Sequence, residues 1–370
     1  MPIYDPSTHD DLVSVTVTLG LLSSGVANFS TILMIVDGVT PGGGTYATYS
    51  SVAEVTADIA NLNTIAQSMA TAAFAQARPP ASIIIIGIDT GSSDTYADGL
   101  AAAVAAGLNF YGVVADSRTP AQQIVLATAV EAAEANGQRF LLFLQDDDAD
   151  WLTSGIPSAW SAVSGYERTV ICYHDDNDND AGSDRLDVAL AARMLSFDAD
   201  LTSCPATIDV SGVDALATAL TSTQKGFARA NYANTALPKG TLVTTFVDPG
   251  KTLAGRPADH IVSADWLAVR IAEAGNDKIA AVAAQGRKLV VDPQGQAELQ
   301  QAIEAKFIQA VDAGHLTTTD PTKPPYRLTA QTITSADIAA QRVRFSAEGQ
   351  FATGIRQVPI SLYLSADAIS

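Results

Sequence analysis

Ser82-Ile-Ile-Ile-Ile-Gly-Ile-Asp89 is the stretch whose reading decides the fold. Its apolar residues run without alternation, so a strand built from them must bury both faces. Four more runs share that character: Ser30-Thr-Ile-Leu-Met-Ile-Val-Asp37, Phe110-Tyr-Gly-Val-Val114, Arg139-Phe-Leu-Leu-Phe-Leu144 and Arg168-Thr-Val-Ile-Cys-Tyr173. Between them the spacing is helical, through about 51–77, 94–106, 154–163 and 184–196. The helix after the third strand has a clear opening, Thr119-Pro-Ala-Gln122, with Thr at the N-cap, Pro at N1 and Gln at N3, and Gly137 to close it. Two-sided strands alternating with helices predict an α/β domain with a parallel or mixed sheet over residues 19–205.

After Pro205 the pattern changes. Helices over 211–228, 262–274 and 296–313 are expected, with strands at Thr241–Val247, Lys288–Val291, Tyr326–Thr329 and Arg342–Ala347. This predicts a smaller α+β domain over 206–354. Each end of the chain carries a strand of its own. Leu12-Val-Ser-Val-Thr-Val-Thr18 puts Val13, Val15 and Val17 on one face. Gln357-Val-Pro-Ile-Ser-Leu-Tyr-Leu-Ser365 does the same with Val358, Ile360, Leu362 and Leu364. Pro359 cannot donate to a ladder, which favours an edge position. Residues 1–18 and 355–370 therefore read as extended strand arms.

The chain has 370 residues, 47% apolar and 16% charged, enough for about two domains with a real core. Its net charge of −19 disfavours direct nucleic-acid binding. The imbalance sits entirely in residues 1–250 (9 basic, 28 acidic), whereas 251–370 hold 12 of each. Cys172 and Cys204 form no CxxC and no disulfide framework, so a reducing compartment is expected. Met1-Pro-Ile-Tyr-Asp-Pro-Ser7 is not basic and no apolar h-region follows, so no signal peptide is expected. The Ala-rich stretches are too short to span a bilayer, so no membrane contact is expected either.

Ligands of open α/β sheets bind beyond the carboxyl ends of the strands. Those ends carry Asp37, Asp89, Asp116, Asp146-Asp-Asp148 and His174-Asp-Asp176. One reading is a divalent-metal-dependent enzyme or binding domain using Asp89, Asp116 and the 174–180 loop. Asp176, Asp178, Asp180 and Asp187 take positions 1, 3, 5 and 12 of a calcium loop, but Ala181 stands where glycine belongs and the last ligand is Asp. The other reading is that these acids end strands and cap helices, which the departures favour. No Gly-x-Ser-x-Gly, HExxH or phosphate-binding glycine motif occurs, and His9, His174, His260 and His315 show no metal spacing. No catalytic residue, metal site or cofactor is expected.

The terminal strands point elsewhere. A strand without a hairpin partner must find its ladder on another edge, and two such arms can join copies into an open array. In helix 296–313, Leu299, Ile303, Phe307 and Ala310 form one apolar stripe, with Gln301, Glu304, Lys306 and Asp312 on the polar side.

The order of these elements resembles that of the tail-sheath proteins of contractile-tailed, myovirus-type bacteriophages and related contractile injection systems. The likeness runs from the Val-Thr-Val-Thr strand through Phe29-Ser-Thr-Ile-Leu-Met-Ile-Val36, Tyr49-Ser-Ser-Val-Ala-Glu-Val55 and Arg78-Pro-Pro-Ala81. It continues through Glu167-Arg-Thr-Val-Ile-Cys-Tyr-His174, Asn231-Tyr-Ala-Asn234, Gly255-Arg256, Asp265-Trp-Leu267, Gln341-Arg-Val-Arg-Phe345 and the closing Ile355-Arg-Gln-Val-Pro-Ile-Ser-Leu-Tyr-Leu364.

The resemblance implies a structural protein, not an enzyme, that stacks as hexameric rings around a tail tube and contracts by rearrangement to drive the tube through the host envelope. It implies arms at about 10–19 and 355–366 that exchange strands with adjacent subunits. It implies that helix 296–313 faces the tube, with Gln301, Glu304 and Lys306 on that side and Arg287 and Lys288 supplying basic charge just before it. The partners implied are further copies of the chain, the tail tube protein, and baseplate and tail-terminator proteins. The location implied is the virion tail, assembled in the host cytoplasm. Another self-assembling surface-layer or injection-system protein is the remaining alternative.

Overall fold

The computed structural model describes residues 28–175, 184–205, 208–214, 216, 218–238, 245–318 and 322–352. The strand arms at 12–18 and 357–365, including Val13, Val15, Val17, Val358, Ile360, Leu362 and Leu364, lie outside the described residues, as does the Asp/Asn segment 176–183.

The elements run β1 (Ile32–Asp37), β2 (Tyr46–Tyr49), α1 (Val52–Ala57), α2 (Thr64–Phe74), β3 (Ile83–Ile88), α3 (Tyr96–Ala105), β4 (Gly112–Ala115), α4 (Pro120–Ala133), β5 (Leu141–Asp146), β6 (Thr169–Tyr173) and α5 (Leu186–Leu195). There follow β7 (Asp209–Val210), α6 (Ser222–Ala230), β8 (Asn234–Pro238), β9 (Thr245–Asp248), α7 (Ala258–Ala284), α8 (Pro293–Asp312), β10 (Tyr326–Ala330), α9 (Ser335–Ala339) and β11 (Phe345–Gly349).

One nine-stranded sheet, ordered β2-β3-β1-β4-β5-β6-β8-β9-β7, carries the body of the molecule. β3, β1, β4, β5, β6 and β8 are parallel; β2 at one end and β9 at the other run antiparallel to them, and β7 pairs antiparallel with β9. The absence of alternation in the long runs has the expected cause. In β1, Ile32, Met34 and Val36 enter the core on one face while Leu33 and Ile35 enter the core on the other. In β3, Ile83 and Ile85 part from Ile84, Ile86 and Ile88 in the same way. α2, α5, α7 and α8 contribute to the first core and α3 and α4 to the second. Gly87 is required inside β3, because a Cβ there would lie 2.0 Å from the Val39 carbonyl oxygen.

Several expectations are corrected. The sheet does not stop near 205: β7, β8 and β9, drawn from 209–248, continue it beyond β6. β2 was hidden in a Gly/Thr-rich stretch because a short edge strand needs only one covered face. The helix expected over 154–163 is a 3₁₀ segment, Ser158–Val163. The helix expected over 211–228 is confined to α6, whose start is set by a capping box between Thr221 and Gln224. The helix expected over 262–274 runs far longer, as α7. No strand forms at Lys288–Val291. That segment turns into α8, where the Asp292 side chain accepts from the Gly295 N–H at 2.7 Å, Pro293 occupies the first turn, and Gly295 gives the Val290 carbonyl room to pass.

β10 and β11 form a separate two-stranded antiparallel sheet, pairing Tyr326 with Gly349 through Ala330 with Phe345. Tyr326, Leu328, Phe345 and Ala347 pack on the first core, and Phe307 of α8 stacks on Tyr326 at 5.0 Å between ring centroids.

Candidate functional site

The strand-end acids are spent on the fold. Asp37 accepts the Thr90 N–H at 2.9 Å and its hydroxyl at 2.5 Å. Asp116 accepts the Tyr96 hydroxyl at 2.6 Å and the Asp37 N–H at 3.2 Å; burial nevertheless pushes its carboxyl above the ordinary carboxylate range. Asp89 caps the turn after β3, where the Ser92 hydroxyl at 2.6 Å lowers its pKa. Asp146, buried at the end of β5, accepts two indole N–H groups, from Trp151 at 3.0 Å and Trp160 at 2.6 Å. Asp187 is fully buried between Arg118 at 3.2 Å and Arg185 at 3.4 Å, so it is an internal counter-ion and not the last ligand of a calcium loop. Asp176, Asp178 and Asp180 lie outside the described residues. Among the described residues, no group of three or more His, Cys, Asp or Glu side chains could hold a metal ion, and no helix is long and apolar enough to cross a membrane.

α7 and α8 form a helical hairpin that packs on the first core. Leu299, Ile303, Phe307 and Ala310 are buried along one stripe of α8, as their spacing predicts. The residues expected to face a partner divide. Gln301 and Glu304 share the exposed face, next to Ile308, which is 51% exposed. Lys306 is half-buried and donates to Gln309 at 3.2 Å. Arg287 in the turn between the helices is drawn to Glu298 at 3.1 Å, a carboxylate also held by Lys278 of α7 at 3.1 Å. Arg287 therefore clasps the hairpin, and Lys288 beside it remains exposed. Lys306 stands about 20 Å along the helix axis from this turn, at 1.5 Å per residue. The five residues form no single patch.

What roots the hairpin was not legible beforehand. Asp265, inside α7, receives Arg168 through Nη1 at 2.6 Å and Nη2 at 2.9 Å, Arg139 at 2.9 Å, and the Tyr111 hydroxyl at 2.8 Å. Arg168 continues to Glu134 at 3.0 Å. Burial alone would lower the Arg168 pKa, but the hydrogen bonds and charge of Asp265 outweigh it and raise it. The network joins the amino ends of β5 and β6 to the first third of α7. The signal available was an acid amid the apolar residues of a helix and a basic residue at the foot of two strands. A second anchor is Asp200, which accepts Arg270 at 2.8 and 3.0 Å and the Trp266 indole at 2.9 Å.

The two-stranded sheet completes the set of surfaces. β10 and β11 pair only with each other, so each presents an outer edge without a strand partner among the described residues. Arg327, Thr329, Ser346 and Glu348 face outward along it.

No protein-family model and no curated protein sequence matches the chain. Solved structures do. A chain of the anti-feeding prophage (AFP) baseplate superposes with a TM-score of 0.66 at 11% identity, covering 98% of this chain and all of that one. The AFP helical sheath in its contracted state gives 0.61 at 14% identity, with 99% of both chains covered. The sheath complex of PVC, an extracellular contractile injection system, also contracted, gives 0.61 at 13% identity, covering 99% of this chain and 98% of that one.

The chain has the contractile-sheath fold. The match takes in the whole length of those chains, so the nine-stranded sheet, the α7–α8 hairpin and the β10–β11 sheet belong to one sheath-type architecture. At these identities the likeness is one of fold.

Proposed function

We infer that this protein is the sheath subunit of a contractile tail or injection machine. It polymerises with copies of itself as stacked hexameric rings around an inner tube and shortens by rigid-body rearrangement of subunits. The observation that carries this reading is the full-length match to sheath structures together with a two-stranded sheet whose outer edges have no strand partner among the described residues. An isolated pair of strands is marginal in water, and added strands would complete it. The arms at 1–18 and 355–370, with Val13, Val15, Val17, Val358, Ile360, Leu362 and Leu364, are proposed to supply those strands between subunits. Ladder hydrogen bonds at about 0.5–1.5 kcal/mol each would then tether neighbours through the change of lattice.

Helix α8 and the turn before it, with Gln301, Glu304, Lys306, Arg287 and Lys288, are proposed to face the tube protein. Baseplate and tail-terminator proteins would meet the ends of the assembly, the particle being built in the bacterial cytoplasm. No catalytic step and no cofactor is invoked. The free energy is stored in an extended lattice whose contracted contacts are lower.

The test is negative-stain electron microscopy of the chain expressed alone. Tubes of stacked rings wide enough to surround a tail tube are expected, and removal of residues 1–19 or 356–370 should abolish them while the core stays folded. Monomers or small oligomers at high concentration would sink the sheath reading; truncated chains that still form tubes would sink arm exchange alone.

A further inference from the structure

A cavity of about 650 Å³ opens at the amino ends of β1, β3 and β4. Phe29, Phe197, Pro79 and Pro80 give it apolar walls. A cavity of about 150 Å³ takes a ring the size of benzene, so this one admits an aliphatic side chain with the turn that carries it. Its charged groups are spoken for, with one exception. Arg270 is engaged by Asp200 and Glu273, and Asp198 turns its Oδ1 to the Asp200 N–H at 3.0 Å. Arg78 is exposed, lies over the Phe197 ring at 5.5 Å, and has no ion-pair partner among the described residues. It is also the only Lys or Arg before Arg118 in the sequence. A cation seated on an aromatic face beside an apolar cavity suits a partner that brings an acid and an apolar side chain together.

The chain itself offers such a partner at the far end of α2. Ile59, in the turn between α1 and α2, is 62% exposed. Ala57 and Ala60 beside it are exposed too, and they are too small to screen it. Asp58 precedes it, Glu54 lies exposed one turn of α1 earlier, and residues 28–77 hold no Lys or Arg to offset these acids. Asp58 accepts the Gly42 N–H at 2.7 Å and the Asn61 amide at 2.6 Å, which fixes the turn and so fixes where Ile59 projects. The turn stands at the carboxyl end of the sheet, where the Asn63 amide donates to the Asp37 carbonyl at 3.1 Å. The cavity is at the amino end. Between them run the 11 residues of α2, about 16 Å at 1.5 Å per residue, so Ile59 cannot fill the cavity of its own chain.

We propose that the Ile59 turn of one copy docks in the Arg78 cavity of the next. Ile59 lies against Phe29, Phe197 and the two prolines, removing aromatic surface from water. The Arg78 guanidinium, still seated on Phe197, faces Glu54 and Asp58 of the incoming turn. A knob and a hole at opposite ends of one helix make a head-to-tail contact, which does not close on two copies and repeats into an open array. The inference rests on the reading of the chain as a self-assembling subunit and adds the surfaces through which two folded bodies meet. It holds whether or not the arms are exchanged between subunits.

The experiment mixes two full-length variants, Ile59→Cys and Ala81→Cys, the second of which places a thiol on the cavity wall. Cys172 and Cys204 are buried and do not compete. After mild oxidation of the concentrated mixture, non-reducing electrophoresis with peptide mapping is expected to find a disulfide joining position 59 of one chain to position 81 of another. Tubes that form without that disulfide overturn the contact and leave the sheath reading standing. If no tubes form, the sheath reading fails, and the disulfide at high concentration still decides the contact, its absence overturning it. An Ala81→Cys thiol shielded from a small maleimide before any assembly would mean that its own chain fills the cavity, and this also overturns the proposal. A third full-length variant, Ile59→Lys, sets a cation against Arg78 at an exposed position. Its melting temperature is expected to match the parent's, while the concentration needed for assembly rises about tenfold or more. An unchanged assembly concentration overturns the proposal; a lowered melting temperature would mark a folding defect, and the disulfide result then decides.

Discussion

Arg168 and Asp265 meet side-on, Nη1 to Oδ2 at 2.6 Å and Nη2 to Oδ1 at 2.9 Å, across 97 residues of sequence. Their side chains are 4% and 1% exposed. A bidentate pair this deep fixes the register and angle of α7 on the sheet more firmly than apolar packing alone would, because a slip strands two buried charges. In the rigid-body rearrangement proposed for the subunit, this pair would hold the α7–α8 hairpin to the sheet.

Removing Asp265 leaves the buried Arg168 with Glu134 alone and takes the acceptor from Arg139 and Tyr111. Asp265→Ala is expected to cost about 3–5 kcal/mol in urea unfolding, whereas Arg168→Met/Asp265→Leu should recover part of that loss. A double variant as unstable as the single one would show that the pair is not the source of the effect.

Asp146 is expected to act through its two indole partners. In Asp146→Ala, Trp151 and Trp160 lose their shared acceptor inside the core, at a cost of about 1–3 kcal/mol for each unsatisfied donor. Denaturant midpoints and the tryptophan emission maximum, which should shift with the changed indole environment, check this.

His315 gives the stability a definite acid limb. Its Nδ1 lies 2.8 Å from the Ser263 hydroxyl and its Nε2 2.7 Å from the Ala199 carbonyl, with the ring stacked on Trp266 at 4.5 Å. Burial lowers its pKa below the ordinary value of 6.5, although the Ala199 bond and the Asp200 charge oppose this. The unfolded chain thus takes up this proton more readily than the folded one. The contribution is complete above pH 6.5 and falls as the pH drops from there toward the lower folded value. Melting temperatures of the parent and His315→Gln between pH 7.5 and 5 should converge on acidification; parallel curves would refute it.

The two faces of α8 should separate cleanly. Phe307→Ala removes a buried ring stacked on Tyr326 and is expected to cost about 3–5 kcal/mol. Gln301→Arg, on the exposed face, should leave stability within about 0.5 kcal/mol, whereas Glu304→Arg also gives up its hydrogen bond with Tyr326 and should cost up to about 1 kcal/mol. If that face meets the tube, they should instead change co-assembly with tube protein, measured by co-sedimentation.

Gly87→Ala tests a contact that only backbone geometry reveals. The added methyl would meet the Val39 carbonyl at 2.0 Å, and a backbone atom cannot swing aside. A loss of at least about 2 kcal/mol is expected, compared with a few tenths for the same change at exposed Gly165, where the space is open.

The strands that could be read in advance were those buried on both faces. β1, β3, β5 and β6 are near-continuous Ile, Leu, Val and Phe because helices cover them above and below, and that composition survives as a one-dimensional signal. β2 and β8 could not be read so. Tyr46-Ala-Thr-Tyr49 is a half-covered edge, and Asn234-Thr-Ala-Leu-Pro238 owes its strand to pairing, with the Asn234 amide bonded to the Ile171 and Lys251 carbonyls at 2.9 and 2.8 Å. The apolar stripe of α8 was legible from its spacing, but the diversion of Arg287 to Glu298 was not, because an ion pair between a turn and a helix leaves no periodicity.

By itself the sequence determined the fold class, the two-sided parallel strands, the core face of α8 and the acids at the strand ends, since each follows from local period or from neighbours along the chain. The tertiary structure alone decided that the sheet continues through β8, β9 and β7, that the strand-end acids are consumed by Thr90, Tyr96 and two indoles, and that Arg168 holds Asp265. These are contacts between residues far apart in the chain. Their partners are chosen by how layers pack and by which buried charges must be neutralised, and both conditions exist only after the chain has folded.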